Sequence, residues 1–137
     1  MIRPIVKDIF FLGRKAEKAD RKDASWGKDL LDTLRFHKDH CVGLAGNMIG
    51  CTKAVIAIMD KDTPMVMYNP VITKVSSETY ETEEGCLSLE GRRLCTRHRW
   101  IEVSYEDEKF RKKKKRFSGF TAEIIEHETD HLQGILI

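Results

Sequence analysis

The sequence lacks the long apolar run that a membrane-spanning helix or a secretory leader requires. No segment approaches the roughly 20 apolar residues that cross a bilayer, and Met1 to Asp8 contain no apolar stretch typical of a signal peptide. The four cysteines, Cys41, Cys51, Cys86 and Cys95, form no CxxC pair, so a disulfide framework is not indicated. We therefore expect a cytoplasmic protein with free thiols and no membrane association.

An excess of one charge is also absent. The 24 basic and 22 acidic residues leave a formal net charge of +2, which indicates no particular partner. The chain has no internal repeat and no Pro-, Gly- or Ser-rich linker. At 137 residues, 41% of them hydrophobic, it is long enough to bury a core. We expect a single domain over residues 1–137.

Hydrophobic spacing predicts an α+β arrangement. The polar segment 14–24 predicts a surface loop. Apolar residues then recur at helical spacing from Ser25 to Lys38, which predicts a helix with Asp23 or Ser25 as its cap. Strand-like runs follow at 54–59, at 65–68 with 71–75, and at 100–105. Asn69-Pro70 predicts a kink inside the second run. The last predicted helix runs from Gly119 or Phe120 to Leu132 and is buried against the sheet, with Phe120, Ile124, Ile125 and Leu132 on the face of the histidines.

The most specific motif is His127-Glu128-Thr129-Asp130-His131 in this last helix. Residues four apart share one helix face, so both imidazoles can bind one metal ion, and Glu128 lies beside them to act on its water. A catalytic metal needs a third protein ligand. The six residues after His131 offer no ordinary side-chain ligand, so the third ligand is predicted to lie upstream.

The upstream candidates are the cysteines, several carboxylates and three histidines. His37 and His40 end a polar stretch and are expected to be exposed, whereas His98 lies between two arginines. Cys86 is the best candidate, because it lies in Glu84-Gly85-Cys86-Leu87-Ser88, where the glycine permits close backbone approach. A Cys/His/His set leaves one coordination position open, which is typical of catalytic sites.

These two segments closely resemble two of the three signature motifs of peptide deformylases. The third motif of that family is glycine-rich, and residues 42–50, Val-Gly-Leu-Ala-Gly-Asn-Met-Ile-Gly, resemble it in position and character. Residues 2–6 and the helix around 26–38 are also similar to the family's first segment. The resemblance covers nearly the whole chain. It implies mixed or antiparallel β-sheets packed around a central C-terminal helix that carries the HExxH motif, with one N-terminal helix.

The resemblance implies a metal-dependent hydrolase that removes the N-formyl group from the N-terminal methionine of newly made polypeptides. It implies that Cys86, His127 and His131 bind one divalent metal ion, with Fe2+ expected in the cell and Zn2+, Ni2+ or Co2+ as alternatives. Glu128 acts in this scheme as general base and then general acid. The backbone N–H of Leu87 donates to the developing oxyanion.

The resemblance also implies where the substrate binds. A backbone edge for the peptide is expected at Gly43, Leu44 and Ala45, where strand addition reads the main chain. An apolar pocket for the methionine side chain is expected from Val42, Phe120 and Ile124.

The glycine-rich motif departs from the family at one important position. Deformylases normally have a glutamine there whose amide helps to hold the oxyanion, and this sequence has Met48. A thioether donates no hydrogen bond, and loss of one such donor typically costs about 10²–10³ in rate. Asn47 carries an amide, but we expect it to point elsewhere. Two further departures are Cys41 for a glycine, expected near the cleft, and Gly46 for an alanine, and no C-terminal extension is expected.

Four functions therefore remain open. They are a deformylase with full or lowered activity, a related hydrolase of another acyl-amide, a metal-binding relative with a regulatory or binding role, and an unrelated HExxH peptidase. The intact Glu128 favours an enzyme, whereas Met48 favours weak or absent deformylase activity.

A basic run at 109–116 contains seven basic residues interrupted only by Phe110. The simplest interpretation is a solvated hairpin tip or loop, and the alternative is a transient contact with the ribosome. No nucleic-acid module accompanies it, so no specific nucleic acid is expected. The expected partners are nascent peptides that begin with N-formyl-methionine.

Overall fold

The structure is a computed structural model that describes all 137 residues. Three α-helices and seven strands form it, with short 3-10 turns at Arg21–Asp23 and Gly46–Ile49. The helices are α1 (Ile9–Leu12), α2 (Ala24–Phe36) and α3 (Gly119–Leu132). The strands are β1 (Gly43–Ala45), β2 (Val55–Asp60), β3 (Thr63–Val75), β4 (Thr79–Cys86), β5 (Leu89–His98), β6 (Trp100–Glu106) and β7 (Lys112–Ser118). None of the helices has the length and hydropathy that crossing a bilayer would require.

All strand pairs are antiparallel and belong to two sheets. The larger sheet has the order β1-β2-β3-β6-β7, and β4 and β5 form a separate hairpin. The predicted kink at Asn69-Pro70 is confirmed, because the pairing of β3 with β6 shifts between Tyr68 and Val71. Asn69 adopts a left-handed φ of 52° there, and β3 continues past it as one strand. The α+β prediction is therefore confirmed.

The two long helices cover opposite faces of the larger sheet. Gly27 of α2 lies so close to β3 that an added Cβ would be 1.8 Å from the Tyr68 hydroxyl. On the other face, a Cβ added at Gly43 of β1 would be 2.7 Å from Ile124 of α3. Both helices are thus pressed against the sheet, and α3 lies in the interior as the sequence predicts.

The helix predictions agree closely with the structure, and Asp23 lies at the N-cap position of α2, as one of the two predicted caps. Helix α2 begins at Ala24, and Asp23 at its cap position makes no side-chain hydrogen bond to the first turn. Its carboxylate instead accepts from the Asp20 N–H at 2.9 Å. The segment 14–24 also contains the short turn Arg21–Asp23.

Two further expectations are corrected by burial and pairing. Phe120 was predicted on the buried face of the last helix, but it is 61% exposed because it lies in the first turn at the mouth of a cleft. The basic run was predicted as a hairpin tip or loop, yet Lys112–Arg116 lies in β7. Regular pairing of these residues with β6 gives the strand its conformation.

Candidate active site

One face of α3 forms the wall of the main cleft. Phe120, Glu123, Ile124, His127 and Glu128 line it, and their spacing of three and four residues is that of one helix face. The cleft has a volume of about 480 Å³. Its other walls come from the ends of the β4–β5 hairpin and from residues 40–43 before and within β1.

Three predicted metal ligands meet in this cleft. The donor atoms of Cys86, His127 and His131 all lie within 4.8 Å of one another. The Nε2 atoms of the two histidines are 3.0 Å apart, so both lone pairs can be directed to one ion. A thiolate and two imidazoles suit iron, zinc and related metals and leave a coordination position open. The residues therefore fit a catalytic metal ion.

A buried ion-pair chain orients the first histidine. Glu84 accepts from Nδ1 of His127 at 2.6 Å, which leaves Nε2 of that ring directed to the other donors. Arg97 forms a fork with Glu84, at 2.7 Å from Nη2 to Oε1 and 3.0 Å from Nε to Oε2. The same guanidinium donates to Asp130 at 2.7 Å. Strand β4, strand β5 and helix α3 are joined by this chain.

Hydrogen bonding controls the charges of this group. Burial disfavours a charged Glu84, but hydrogen bonds from His127 and Arg97 outweigh burial and hold its pKa well below the usual range. Burial likewise disfavours a protonated His127, yet its hydrogen bonds to Cys86 and Glu84 raise its pKa to about 10. Burial, followed by repulsion from His127, lowers the pKa of His131 to about 3. A metal ion bound there would require an unprotonated Nε2 on both rings.

Glu128 is buried in the cleft next to the candidate metal ligands. Its side chain is buried beside the three donors, and its Oε1 has no hydrogen-bond partner within the protein. Burial raises the pKa of Glu128 to about 7, although the charge of His127 opposes the shift. Only a glycine fits opposite it, because a Cβ added at Gly43 would be 2.8 Å from Oε2 of Glu128.

Met48 and Asn47 both point away from the cleft surface. Met48 is 1% exposed, and its sulfur accepts from the Ala45 N–H at 3.4 Å. The amide of Asn47 donates to the backbone carbonyl of His131 at 2.9 Å. Asn47 thus anchors the last turn of α3, in agreement with the expectation that its amide points elsewhere.

The residues predicted to bind substrate are divided between the cleft and its support. Val42, Gly43, Phe120, Ile124 and Leu87 line the cleft. Leu44 and Ala45 follow in β1 and are fully buried without lining it.

Some cleft residues were not found from the sequence. His40, Arg92 and Glu123 line it, and Cys41 does so as expected, with its pKa raised to about 12 chiefly by burial. Helical spacing from His127 would have identified Glu123, whereas Arg92 needed the register of the β4–β5 hairpin.

The fold and the site together define a class of protein. A helix that carries two histidines and a buried glutamate, with a cysteine supplied by a hairpin, is typical of metal-dependent hydrolases with the HExxH motif.

Comparison with known proteins identifies the family. The family model described as polypeptide deformylase matches residues 8–137. A curated peptide deformylase of Clostridium beijerinckii is 53% identical over 137 residues, which is 100% of both chains. One from Synechocystis is 36% identical and covers 90% of this chain and 68% of its own. The chain therefore belongs to the polypeptide deformylase family, whose members are metal-dependent enzymes.

Solved structures agree with this assignment. A class I type b peptide deformylase from Acinetobacter baumannii superimposes with a TM-score of 0.89 at 29% identity, over 99% of this chain and 96% of that one. Peptide deformylase from Thermotoga maritima gives a TM-score of 0.88 at 27% identity, over 99% and 94%. An unrelated HExxH peptidase is thereby excluded, and a role without catalysis is not favoured.

Proposed function

We propose that this enzyme hydrolyses the formyl amide of N-formyl-methionine at the start of nascent polypeptides in the cytoplasm. The main observation is the buried Glu128 beside the convergent donors Cys86, His127 and His131. Formate and a peptide with a free amine are the products. The 53% identity to a peptide deformylase over the whole chain supports the same substrate class.

The three donors are proposed to hold one divalent ion. When bound, such an ion would polarise the formyl carbonyl and lower the pKa of a water molecule. The thiolate of Cys86 makes the donor set soft, which favours Fe2+ in the cell, with Zn2+, Ni2+ or Co2+ as substitutes. Glu84 keeps the ring of His127 in the tautomer that directs Nε2 to the ion.

Glu128 is proposed to move the proton. Its carboxylate takes a proton from the attacking water and then delivers it to the departing amine nitrogen. Burial, which disfavours the charged form of Glu128, helps its carboxylate to hold the proton between the two steps.

Leu87 is proposed to stabilise the oxyanion. Its backbone N–H donates to no protein acceptor, and Leu87 lines the cleft next to Cys86. A backbone donor fixed in a hairpin turn needs no reorganisation as negative charge develops on the formyl oxygen.

The substrate is proposed to lie along β1. This strand is the first of its sheet, so its outer edge has no neighbouring strand, and an extended peptide can pair with it. Gly43 is the closest point of β1 to the catalytic side chains. Leu44 and Ala45 continue the strand, with the Ala45 N–H already donating to the Met48 sulfur. Val42, Phe120 and Ile124 provide the apolar surface for the methionine side chain.

A second candidate is a deformylase with weak activity, or one that prefers another acyl-amide, and Met48 is the observation that favours it. The thioether accepts from Ala45 and donates nothing. In Met48→Gln, the new carbonyl oxygen can accept from the same N–H, which leaves the amide NH₂ as a donor. We expect kcat to rise by up to about 10² if the missing donor limits the rate.

The test is formate release from a formyl-Met peptide after anaerobic loading with Fe2+ or Ni2+. An acetyl-Met peptide is the matched substrate. We expect rapid release of formate and little release of acetate, with a further gain in Met48→Gln. Preference for the acetyl peptide would favour the second candidate, and turnover of neither substrate would overturn the proposal.

A further inference from the structure

Positive charge is concentrated in one strand of an otherwise acidic chain. The basic edge, defined here as Lys112–Arg116 of β7 with Lys109 and Arg111 at the preceding turn, holds seven of the 24 basic residues. Outside it the chain has 17 basic and 22 acidic residues, a formal charge of −5. A net charge of +2 therefore conceals a strongly asymmetric distribution.

The strand geometry displays this charge as a row. Strand β7 is the last strand of the larger sheet and pairs only with β6. All side chains from Arg111 to Arg116 are exposed. Alternate residues share a face, so Lys112, Lys114 and Arg116 stand about 6.6–6.8 Å apart along the strand. Such a regular row can follow a chain of regularly spaced anions.

Few carboxylates lie close enough to neutralise the basic edge. Asp107 lies 3.1 Å from Arg111, and Glu102 lies 3.9 Å from Lys114. Lys112, Lys113 and Lys115 have no carboxylate within 4.0 Å, and neither has Lys109 or Arg116. Most of the positive charge is thus available to an external anion.

An aromatic ring adjoins the row. The guanidinium of Arg116 lies over the Trp100 ring, 3.8 Å from its centroid, and Trp100 is only half-buried. An arginine stacked on a partly exposed indole offers a flat surface on which a nucleobase can stack.

A shallow cavity extends the basic edge beyond its turn. The cavity has a volume of about 480 Å³. Its lining residues are Lys18, Ala19, Asp20, Arg21, Lys22, Glu106 and Phe110. Asp20 accepts from the Lys22 N–H and Glu106 from the Asn69 amide. The three basic side chains outnumber these two carboxylates, so the cavity adds a net charge of +1 next to the basic edge.

We propose that the basic edge binds the phosphate backbone of RNA and so holds the enzyme at the RNA surface of the ribosome. This inference deepens the proposed function, because that is where formylated chains first appear. Residues 111–116 contain no apolar side chain to insert into a membrane. An edge strand of lysines also disfavours pairing with a further strand of protein. Phosphate contacts by lysine and arginine require neither.

The basic edge is separate from the catalytic cleft. None of the cleft-lining residues belongs to residues 109–116. Binding of RNA therefore changes where the enzyme is located and leaves the hydrolysis of a small free peptide unaffected.

The test compares a triple variant of the edge with a matched control. Lys112, Lys114 and Arg116, which form the row, are changed to glutamine in the first variant. The exposed Lys7, Lys15 and Lys28, which have no carboxylate partner, are changed to glutamine in the second. Both variants lose the same charge. Binding to a single-stranded oligo-uridine and to purified ribosomes is followed by fluorescence anisotropy and co-sedimentation over a range of salt concentrations.

The edge variant is expected to lose at least about 10-fold in RNA affinity at low salt. The slope of the logarithm of its RNA-binding constant against the logarithm of salt concentration should become shallower by about 2. Each of the three lost phosphate contacts accounts for about 0.7 of this change. The control should bind as wild type. Equal binding by both variants, or no binding by wild type, would overturn the proposal, as would tighter binding of polyglutamate or of anionic lipid vesicles.

Formate release from a formyl-Met peptide is measured on the same samples. It should be equal in all three proteins, because the substitutions lie outside the cleft. If the wild-type protein bound RNA but released no formate, only the proposed function would be contradicted. If it released formate but showed no preference for RNA, only the present inference would be contradicted.

Discussion

Glu84→Gln is the substitution that most directly tests the orientation of the metal ligands. The change keeps the size of the side chain and an oxygen that can accept from Nδ1 of His127, 2.6 Å away. It removes the negative charge that Arg97 meets at 2.7 and 3.0 Å. Arg97 is only 5% exposed, so water cannot replace the lost partner. Asp130 is then its one remaining carboxylate.

The expected magnitude follows from these contacts. Removing one partner of a buried ion pair typically costs about 3–5 kcal/mol, and the remaining bond to Asp130 favours the lower end, about 3 kcal/mol. Loss of a carboxylate behind a metal-binding histidine typically weakens metal affinity by about 10–100-fold. Because domains are stable by about 5–15 kcal/mol, the variant should still fold.

Two assays separate these effects. Urea denaturation of the metal-free protein measures the first, and competition with a zinc chelator measures the second. Glu81→Gln is the control, since Glu81 lies exposed on the same strand without an ion pair. If Glu84→Gln matched Glu81→Gln in both assays, the ion-pair chain would have no orienting role. If only stability fell, Glu84 would support the fold and not the metal site.

Two further substitutions address the cleft and the basic turn. Gly43→Ala places a Cβ 2.8 Å from Glu128 Oε2. We expect kcat to fall at least about 10-fold at unchanged metal content, because misplacement of a catalytic group by about 1 Å can cost about 10² in rate. An unchanged kcat would refute the importance of this contact. Asp107 accepts from the backbone N–H groups of Lys109 and Arg111, both at 2.9 Å; burial opposes its charge, but these hydrogen bonds hold its pKa below the usual value. Because the pKa of Asp107 is lower in the folded protein, its carboxylate stabilises the fold at pH values above the unfolded pKa of about 3.9. This stabilisation is lost as the pH falls through the folded pKa. Asp107→Asn should therefore be less stable than wild type at pH near 7, with a gap that narrows in strong acid; a gap constant with pH in urea denaturation would contradict this.

The predictable parts of the fold are those with a hydrophobic period. Helix α3 was predicted from its apolar and histidine spacing, and strands β2, β3 and β6 from apolar runs. Strands β4 and β5 were missed because the hairpin is mostly solvent-exposed and its residues, such as Thr79–Glu84, show no buried apolar face. Strand β7 was missed because lysines favour strands weakly, and its conformation depends on pairing with β6.

The same distinction applies to the candidate site. Cys86, Glu128 and the two histidines could be found because each lies in a short motif. Arg97 could not, because its role depends on the register that places β5 beside Glu84 and on the docking of α3. Contacts between separate elements are set by tertiary packing, which local sequence patterns do not encode.

The central claim is that Glu128 moves the proton at a site formed by Cys86, His127 and His131. Its most direct test is formate release from a formyl-Met peptide by wild type and Glu128→Gln, loaded with the same metal and matched for metal content. The amide keeps the shape of the carboxylate but cannot accept the proton. We predict equal metal binding and a loss of about 10²–10⁴ in kcat. Turnover by Glu128→Gln within a factor of about 3 of wild type, far less than general acid–base catalysis contributes, would contradict the account.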